Sequence, residues 1–292
     1  MEVKIREPMK RHTSFRAGGP ADWYVAPENA DELTAVCRAC RKAGSRFYVI
    51  GNGSNLLVSD EGFCGVIIST EKFGKLEVSG KSLKAGAGVL LSKAASAALK
   101  AGLSGLEFAA GIPGSIGGAV VMNAGAYGSE MKDVLKSVTV LDPDGNVLTL
   151  DTKELGLGYR TSIVPKKGYV VLEALFSLEF ENTEIIRQKM EELAGKRKEK
   201  QPLEYPSAGS TFKRPEGYFA GRLIEDAGLK GFCVGGAAVS EKHAGFVINK
   251  DNATASDIYR LCEEVKRRVK EYSGVTLEME VKLLGQFGEE KQ

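Results

Sequence analysis

Residues 108–129 run for 22 positions without a charged side chain, long enough to cross a bilayer if they formed one helix. Their composition forbids that reading. Six glycines, Pro113, Asn123 and Tyr127 interrupt the run, and each glycine exposes backbone that a Cβ would otherwise cover. Gly111, Pro113, Gly114, Ser115, Gly117, Gly118, Asn123 and Gly125 leave little side chain to pack, so something other than this chain is expected to fill the space. A bulky planar ligand laid against backbone is the economical occupant. The excess is chain-wide: glycine supplies 35 of 292 residues, well above the usual ~7%.

The length suggests about two domains. Forty Lys+Arg against 38 Asp+Glu leave a charge of +2, which offers no global electrostatic reason for nucleic acid or a membrane surface as the main partner. Five cysteines are an odd and sparse set, unlike a disulfide framework, and point to a reducing cytoplasm. Cys37 and Cys40 have the spacing of a redox pair or half a metal site. With Leu33 and Val36 they also fall at i, i+3, i+4 and i+7, the core stripe of a helix, and no second pair or nearby histidine completes a metal set. We expect core packing there and no metal. Residues 1–16 are charged throughout, so no secretory signal is expected.

Helices are expected from a cap at Asn29 or Asp31 to about 43, over 89–100, over 183–200, and across Ile258, Leu261, Cys262, Val265 and Val269. Gly44, Gly102 and Gly274 stand at stop positions. Strands are expected at 47–50, 56–58, 137–141, 147–150 and 169–180, with Asp142, Pro143, Asp144 and Gly145 forming a hairpin turn. Strict alternation over 275–283 reads as one further strand. Prolines at 202 and 206 mark a boundary, giving an α+β protein of two parts.

Several short motifs carry chemistry. Gly51, Asn52, Gly53, Ser54 and Asn55 lie between two apolar strands and form either a plain turn or a nest of N–H groups suited to a diphosphate. Gly80, Lys81 and Ser82 imitate the end of a phosphate-binding loop, but Lys75 stands where that motif needs glycine. Arg160 can clamp a carboxylate or be a surface arginine. Ser210 follows glycine without a nucleophile elbow or a His–Asp set, so it is a proton donor or a turn residue rather than a hydrolase nucleophile. Glu278 and Glu280 share one face, and the pattern does not separate them. Lys196, Arg197, Lys198 and Lys200 suit the C-terminal end of a helix.

In order along the chain, His12–Ala21, Gly51–Asn55, Gly111–Gly125, Tyr159–Ser162, Ala208–Lys213 and Leu277–Val281 resemble the flavoenzyme family of UDP-N-acetylenolpyruvylglucosamine reductases, also called UDP-N-acetylmuramate dehydrogenases. The resemblance implies an α+β fold. A two-lobed FAD-binding part of the vanillyl-alcohol-oxidase (PCMH) type would occupy 1–80 and 81–198, followed by a substrate domain over 199–292. It implies FAD held non-covalently, its diphosphate on Gly51–Asn55 and its flavin along Gly111–Gly125, with NADPH as co-substrate. Arg160, Ser210 and Glu280 match the family's catalytic arginine, proton donor and second acid. Tyr159, Lys200 and Lys213 would meet the substrate, Lys200 at the UDP diphosphate. The implied reaction is reduction of UDP-N-acetylglucosamine enolpyruvate to UDP-N-acetylmuramate for peptidoglycan precursors, by a cytoplasmic monomer that needs no protein partner.

Only twelve residues separate Arg160 from Glu173, so the chain resembles the shorter subclass without a tyrosine-bearing insertion. Arg214 stands where some members have asparagine. Two rival readings are an FAD-dependent sugar or alcohol oxidase of the same fold and a non-enzymatic flavin or nucleotide-sugar binder. Neither glycine loop offers a His or Cys for covalent flavin, an oxidase has no evident use for Ser210 and Glu280, and a binder has none for Arg160, Ser210 and Glu280 together.

Overall fold

Leu57 and Phe15 are far apart in sequence from Ile258 and Val281, yet all four are buried in one core. This explains how the chain divides in the computed structural model, which describes residues 1–288. One unit takes in Met1–Lys4, Tyr24–Asn52 and Val66–Arg197, and the other Ile5–Trp23, Gly53–Gly65 and the chain from Lys198 onward. Two N-terminal stretches fold with the C-terminal part, and the strand Leu56–Val58 pairs in parallel with Lys282–Leu284.

The first unit is built on a five-stranded sheet in the order Val147–Asp151, Leu135–Leu141, Val170–Ser177, Ser82–Gly86, Leu76–Ser79, every neighbour antiparallel. Val138, Val140, Val171, Ala174 and Phe176 pack with Leu91, Ala94 and Ala98 of the helix Leu91–Lys100 and with Ile116 and Val120 of the helix Ile116–Met122. Val170 and Leu172 instead join Leu141, Ile68, Leu33 and Cys37 in a second cluster. Successive strand residues point to opposite faces. The start of this strand is thus covered on both sides, which is why it reads as a continuous apolar run. The expected hairpin closes where Gly145 donates to the carbonyl of Asp142 at 3.1 Å.

The first long helix is Ala30–Lys42, and of its two candidate caps Asn29 does the work, its side chain accepting from the Glu32 N–H at 2.9 Å. Cys37 and Cys40 lie on its inner face, 1% and 5% exposed, and burial pushes the Cys37 thiol up to about 11. The uncharged run 108–129 is broken into a turn at Glu107–Ala109, the short helix Ile116–Met122, and a hairpin of Gly125–Ala126 with Ser129–Glu130. Among the described residues no helix is long and apolar enough to cross a membrane.

In the second unit, Cys233–Val234, Ala237–Val239 and Val247–Asn249 form an antiparallel sheet beside the helix Ala255–Ser273. Thr254 and Asp257 close a capping box there, and Asp60 accepts from the N–H groups of Ala255 and Ser256, both at 2.8 Å. Ile258, Leu261, Cys262, Val265 and Val269 are fully buried, as the periodicity predicts. The alternating strand expected over 275–283 does not form as one element. Leu277 and Val281 are buried in turn and Met279 bridges to Phe212, but from Lys282 the chain changes partner to Leu56–Val58. With the new partner the inward position moves to Leu284, 7% exposed, and Leu283 is left 40% exposed.

Candidate active site

The strand Phe47–Ile50 runs into Gly51 and Asn52, the last residues of the first unit before the chain passes to the second. A Cβ on Gly51 would stand 2.1 Å from Ser115 Oγ and 3.7 Å from the Gly118 nitrogen, so this backbone lies directly on the second glycine segment. Asn52 Nδ2 donates to the carbonyl of Pro113 at 2.7 Å. The two glycine motifs are thus brought together at Gly51, Asn52, Pro113, Ser115 and Gly118, with Asn52 and Pro113 61 positions apart in sequence. Among the described residues, Ser115 Oγ is buried without a hydrogen-bond partner. A buried unpaired hydroxyl costs ~1–3 kcal/mol. Here it stands beside two glycines, one of which, Gly118, meets nothing nearer than that same oxygen. A ligand rich in acceptor oxygens fits this cradle, and FAD is such a ligand.

Gly117 and Gly111 also make room for other parts of the protein. A Cβ on Gly117 would meet Ala87 Cβ at 3.0 Å, so this residue seats its helix on the sheet. Gly111 makes room for Arg197, whose Cδ would lie 3.1 Å from an added Cβ. The basic end of the helix Thr183–Lys200 reads in sequence as suited to a helix C-terminus, with Lys200 toward the substrate. Arg197 differs from its neighbours: burial pulls its pKa down, while Lys196, Lys198 and Lys200 remain exposed.

Asn123 ends the helix Ile116–Met122 in the left-handed region, φ +42°, and is 1% exposed. Its amide donates to Glu130 Oε2 at 2.7 Å and to the carbonyl of Gly158 at 3.1 Å, and its oxygen accepts from the Lys132 N–H at 3.0 Å. This side chain ties the glycine run to the turn that carries Arg160. Gly158 and Thr161 bridge across that turn, leaving Tyr159 and Arg160 at its tip. Arg160 holds φ +53°, uncommon for a residue with a Cβ, and strain of this kind gathers at functional sites. Its Nη2 donates to the carbonyl of Gly125 at 3.3 Å, and its guanidinium lies 5.2 Å from the Tyr159 ring centre. Glu130 was not singled out by sequence. Lys132, then Asn123, hold its carboxyl below the usual range, and the Arg160 charge adds to this.

In the second unit, Gly53 holds φ +59° and faces the carbonyl of His12, while Ser14 donates to the Gly53 carbonyl at 3.2 Å. Ser54 and Asn55 are half-buried. Asn55 accepts from the Lys282 N–H at 3.0 Å, and its Nδ2 donates to the Glu280 carbonyl at 3.2 Å. Glu280 in turn donates its N–H to the carbonyl of Thr211 at 2.8 Å, and Lys213 donates to the carbonyl of Glu278 at 2.8 Å. Ser210 is exposed at the head of this short pairing. The two glutamates that the alternation could not separate differ here. Glu278 is exposed and ion-paired to Lys213, whose hydrogen bond holds its carboxyl low, whereas Glu280 is half-buried. Lys213 is thereby engaged with Glu278, and Lys200 stands exposed at its helix end. Arg214 stacks on Phe219 at 4.0 Å.

Residues 201–284 match the family described as UDP-N-acetylenolpyruvoylglucosamine reductase, C-terminal domain, and residues 21–151 match an FAD binding domain. The chain is 54% identical to a UDP-N-acetylenolpyruvoylglucosamine reductase of Caldanaerobacter subterraneus subsp. tengcongensis, over 98% of this chain and 94% of that protein. It is also 54% identical to one from Lachnoclostridium phytofermentans, over 97% and 93%. The crystal structure of the enzyme of that name from Thermus caldophilus superposes with a TM-score of 0.85 at 40% identity, covering 98% of this chain and all of that one. The chain belongs to the UDP-N-acetylenolpyruvoylglucosamine reductase family.

Proposed function

We infer that this chain is a working reductase of its family: it reduces UDP-N-acetylglucosamine enolpyruvate to UDP-N-acetylmuramate, a peptidoglycan precursor, using FAD and NADPH. FAD, when bound, supplies the hydride chemistry, with NADPH as its reductant. Ser115 and the bare backbone of Gly51 and Gly118 would receive the cofactor, and the loop ending in Ser54 and Asn55 would meet its diphosphate. Neither loop provides a covalent tether, so the cofactor is held by contacts alone.

Hydride added to the terminal methylene carbon leaves an electron pair on the neighbouring carbon, spread into the carboxylate. Arg160 is the cation for that charge, and a fixed donor of this kind contributes ~3 kcal/mol to the barrier. Glu280 is the second acid. Ser210 delivers the proton that completes the lactyl ether and recovers one from solvent. A serine hydroxyl is a weak acid, but an enolate carbon is a strong enough base if the geometry is held. Tyr159, Lys200 and Lys213 contact the nucleotide sugar. Within its own unit, the supporting observation is the pairing of the Ser210 strand to the Glu280 segment through the 2.8 Å bond between Glu280 and Thr211. Residues 1–80 and 81–198 serve as the two FAD lobes and 199–292 as the substrate domain. The protein works as a cytoplasmic monomer without nucleic acid, membrane or protein partners.

Anaerobic flavin absorbance tests this reading. NADPH should bleach the FAD-loaded protein, and the enolpyruvyl substrate should restore the oxidised spectrum without oxygen. Flavin that stays reduced until air enters would favour an oxidase. Ser210→Ala should keep the NADPH bleach and lose the recovery; normal turnover in that variant would remove Ser210 from the reaction.

A further inference from the structure

We propose that His243 is a positioning residue that holds the Ser210–Glu280 pairing through a chain of hydrogen bonds, with its imidazole acting as an acceptor. The proposal rests on the roles given above to Ser210 and Glu280. His243 Nδ1 accepts from the Gly245 N–H at 3.1 Å. The carbonyl of Gly245 accepts from the Thr211 N–H at 2.9 Å, and the carbonyl of Thr211 accepts from the Glu280 N–H at 2.8 Å. Thr211, fully buried, also accepts at Oγ1 from the Val247 N–H at 2.9 Å. Each link runs into the next through one residue, so the ring, the residue after Ser210 and the backbone of Glu280 form one continuous path.

The surroundings are shaped for this ring. A Cβ on Gly221 would lie 3.3 Å from His243 Cε1, and one on Gly245 would lie 3.0 Å from it. Phe246 meets the ring edge-on, with centroids 4.9 Å apart. Ser240 Oγ accepts from the N–H groups of Lys242 and His243, both at 3.2 Å, and fixes the turn that presents the ring. Glu225 and Lys230 face it and are paired with each other at 2.7 Å; Glu241 and Lys242 flank it on its own turn. Burial is the main cause that pulls the His243 pKa below its ordinary value, with Lys230 adding to it and Glu225 opposing. The ring is therefore neutral at pH 7, as an acceptor must be. Protonation would put a second donor against the Gly245 N–H.

The test uses the FAD-loaded protein and three readouts. His243→Leu should slow reoxidation of NADPH-reduced enzyme by the enolpyruvyl substrate by about tenfold, the loss expected from one hydrogen bond, and leave bleaching by NADPH within about twofold. His243→Asn, whose amide oxygen can replace Nδ1, should recover most of that rate and flatten the fall in reoxidation on the acid side of pH 7. Hydrogen exchange should be faster in His243→Leu over 208–213 and 277–282 but unchanged over 255–273. Exchange is read without turnover, so it stands even if Ser210→Ala shows that Ser210 donates no proton. Equal loss in both half-reactions, an acid limb that persists in His243→Asn, or unchanged exchange at the Thr211 and Glu280 amides would overturn the proposal. Should His243→Leu fail to fold, the Asn variant and the acid-side exchange of the wild type at the same two segments decide it.

Discussion

Gly53→Ala tests whether the first glycine loop is held by close backbone approach. At φ +59° the new side chain would stand 1.8 Å from the carbonyl oxygen of His12, 2.9 Å from its carbon and 3.2 Å from Thr13 Cα. A comfortable C···O contact is about 3.3 Å, so the His12 carbonyl must retreat by ~1.5 Å. That backbone cannot simply swing away, because Thr13 is buried, Phe15 is fully buried and Ser14 donates to Gly53 itself. Gly274→Ala is the matched control: it lies in the same unit at φ +75° with no atom of the described residues within 4 Å of its added Cβ. Both variants carry left-handed strain of ~1–2 kcal/mol. Both also lose ~0.4–1 kcal/mol of unfolded-state entropy, which offsets part of it. These contributions cancel between the two, leaving the overpacking of ~1–3 kcal/mol to Gly53→Ala alone. At ~2–4 °C per kcal/mol, Gly53→Ala should melt ~2–12 °C below Gly274→Ala. The comparison belongs on FAD-free protein, since bound cofactor would add its own stabilisation. Melting temperatures within about a degree of each other would show that the loop yields and that Gly53 is not needed for the approach.

Three other outcomes follow from the geometry. Ser115→Ala should weaken FAD binding, read by flavin fluorescence, while the FAD-free protein melts no lower than the parent, because an unpaired buried hydroxyl has been removed. Thr211→Val keeps the shape but leaves the Val247 N–H without its acceptor, and should lower unfolding free energy by ~1–3 kcal/mol in denaturant titrations. Iodoacetamide at pH 8 should label the exposed Cys64 and Cys233, giving two adducts by mass before unfolding and five after, since Cys37, Cys40 and Cys262 are buried and their thiols raised by burial.

Elements whose signal is local were legible. The helix start at Asn29 or Asp31, the Asp142–Gly145 turn and the apolar face from Ile258 to Val269 depend on neighbours within one or two turns, and the structure has them there, with Asn29 taking the cap. The alternation over 275–283 was legible only in part. It encodes which face is buried while the partner stays the same, and the chain changes partner at Lys282, pairing with Leu56–Val58 more than 200 residues earlier. No local period carries that information. The same long-range pairing draws Gly53–Gly65 into the second unit.

The glycines show where a motif under-determines its own chemistry. In sequence, Gly51, Gly111, Gly117 and Gly118 look alike, each an absent side chain. In the fold, the space at Gly111 belongs to Arg197 and that at Gly117 to Ala87, whereas Gly51 and Gly118 border the unpaired oxygen of Ser115. A ligand is implied where an absent Cβ leaves a polar atom unanswered, and close packing is implied where another side chain takes the room. Asn123 follows the same logic in reverse. Its place in the glycine run suggested a ligand contact, and in the fold its amide donates to Glu130 and Gly158 and accepts from Lys132, which ties the run to the turn that holds Arg160. What separates a ligand-facing residue from a supporting one is whether its hydrogen-bonding capacity is already used, and that is a property of partners brought from elsewhere in the chain.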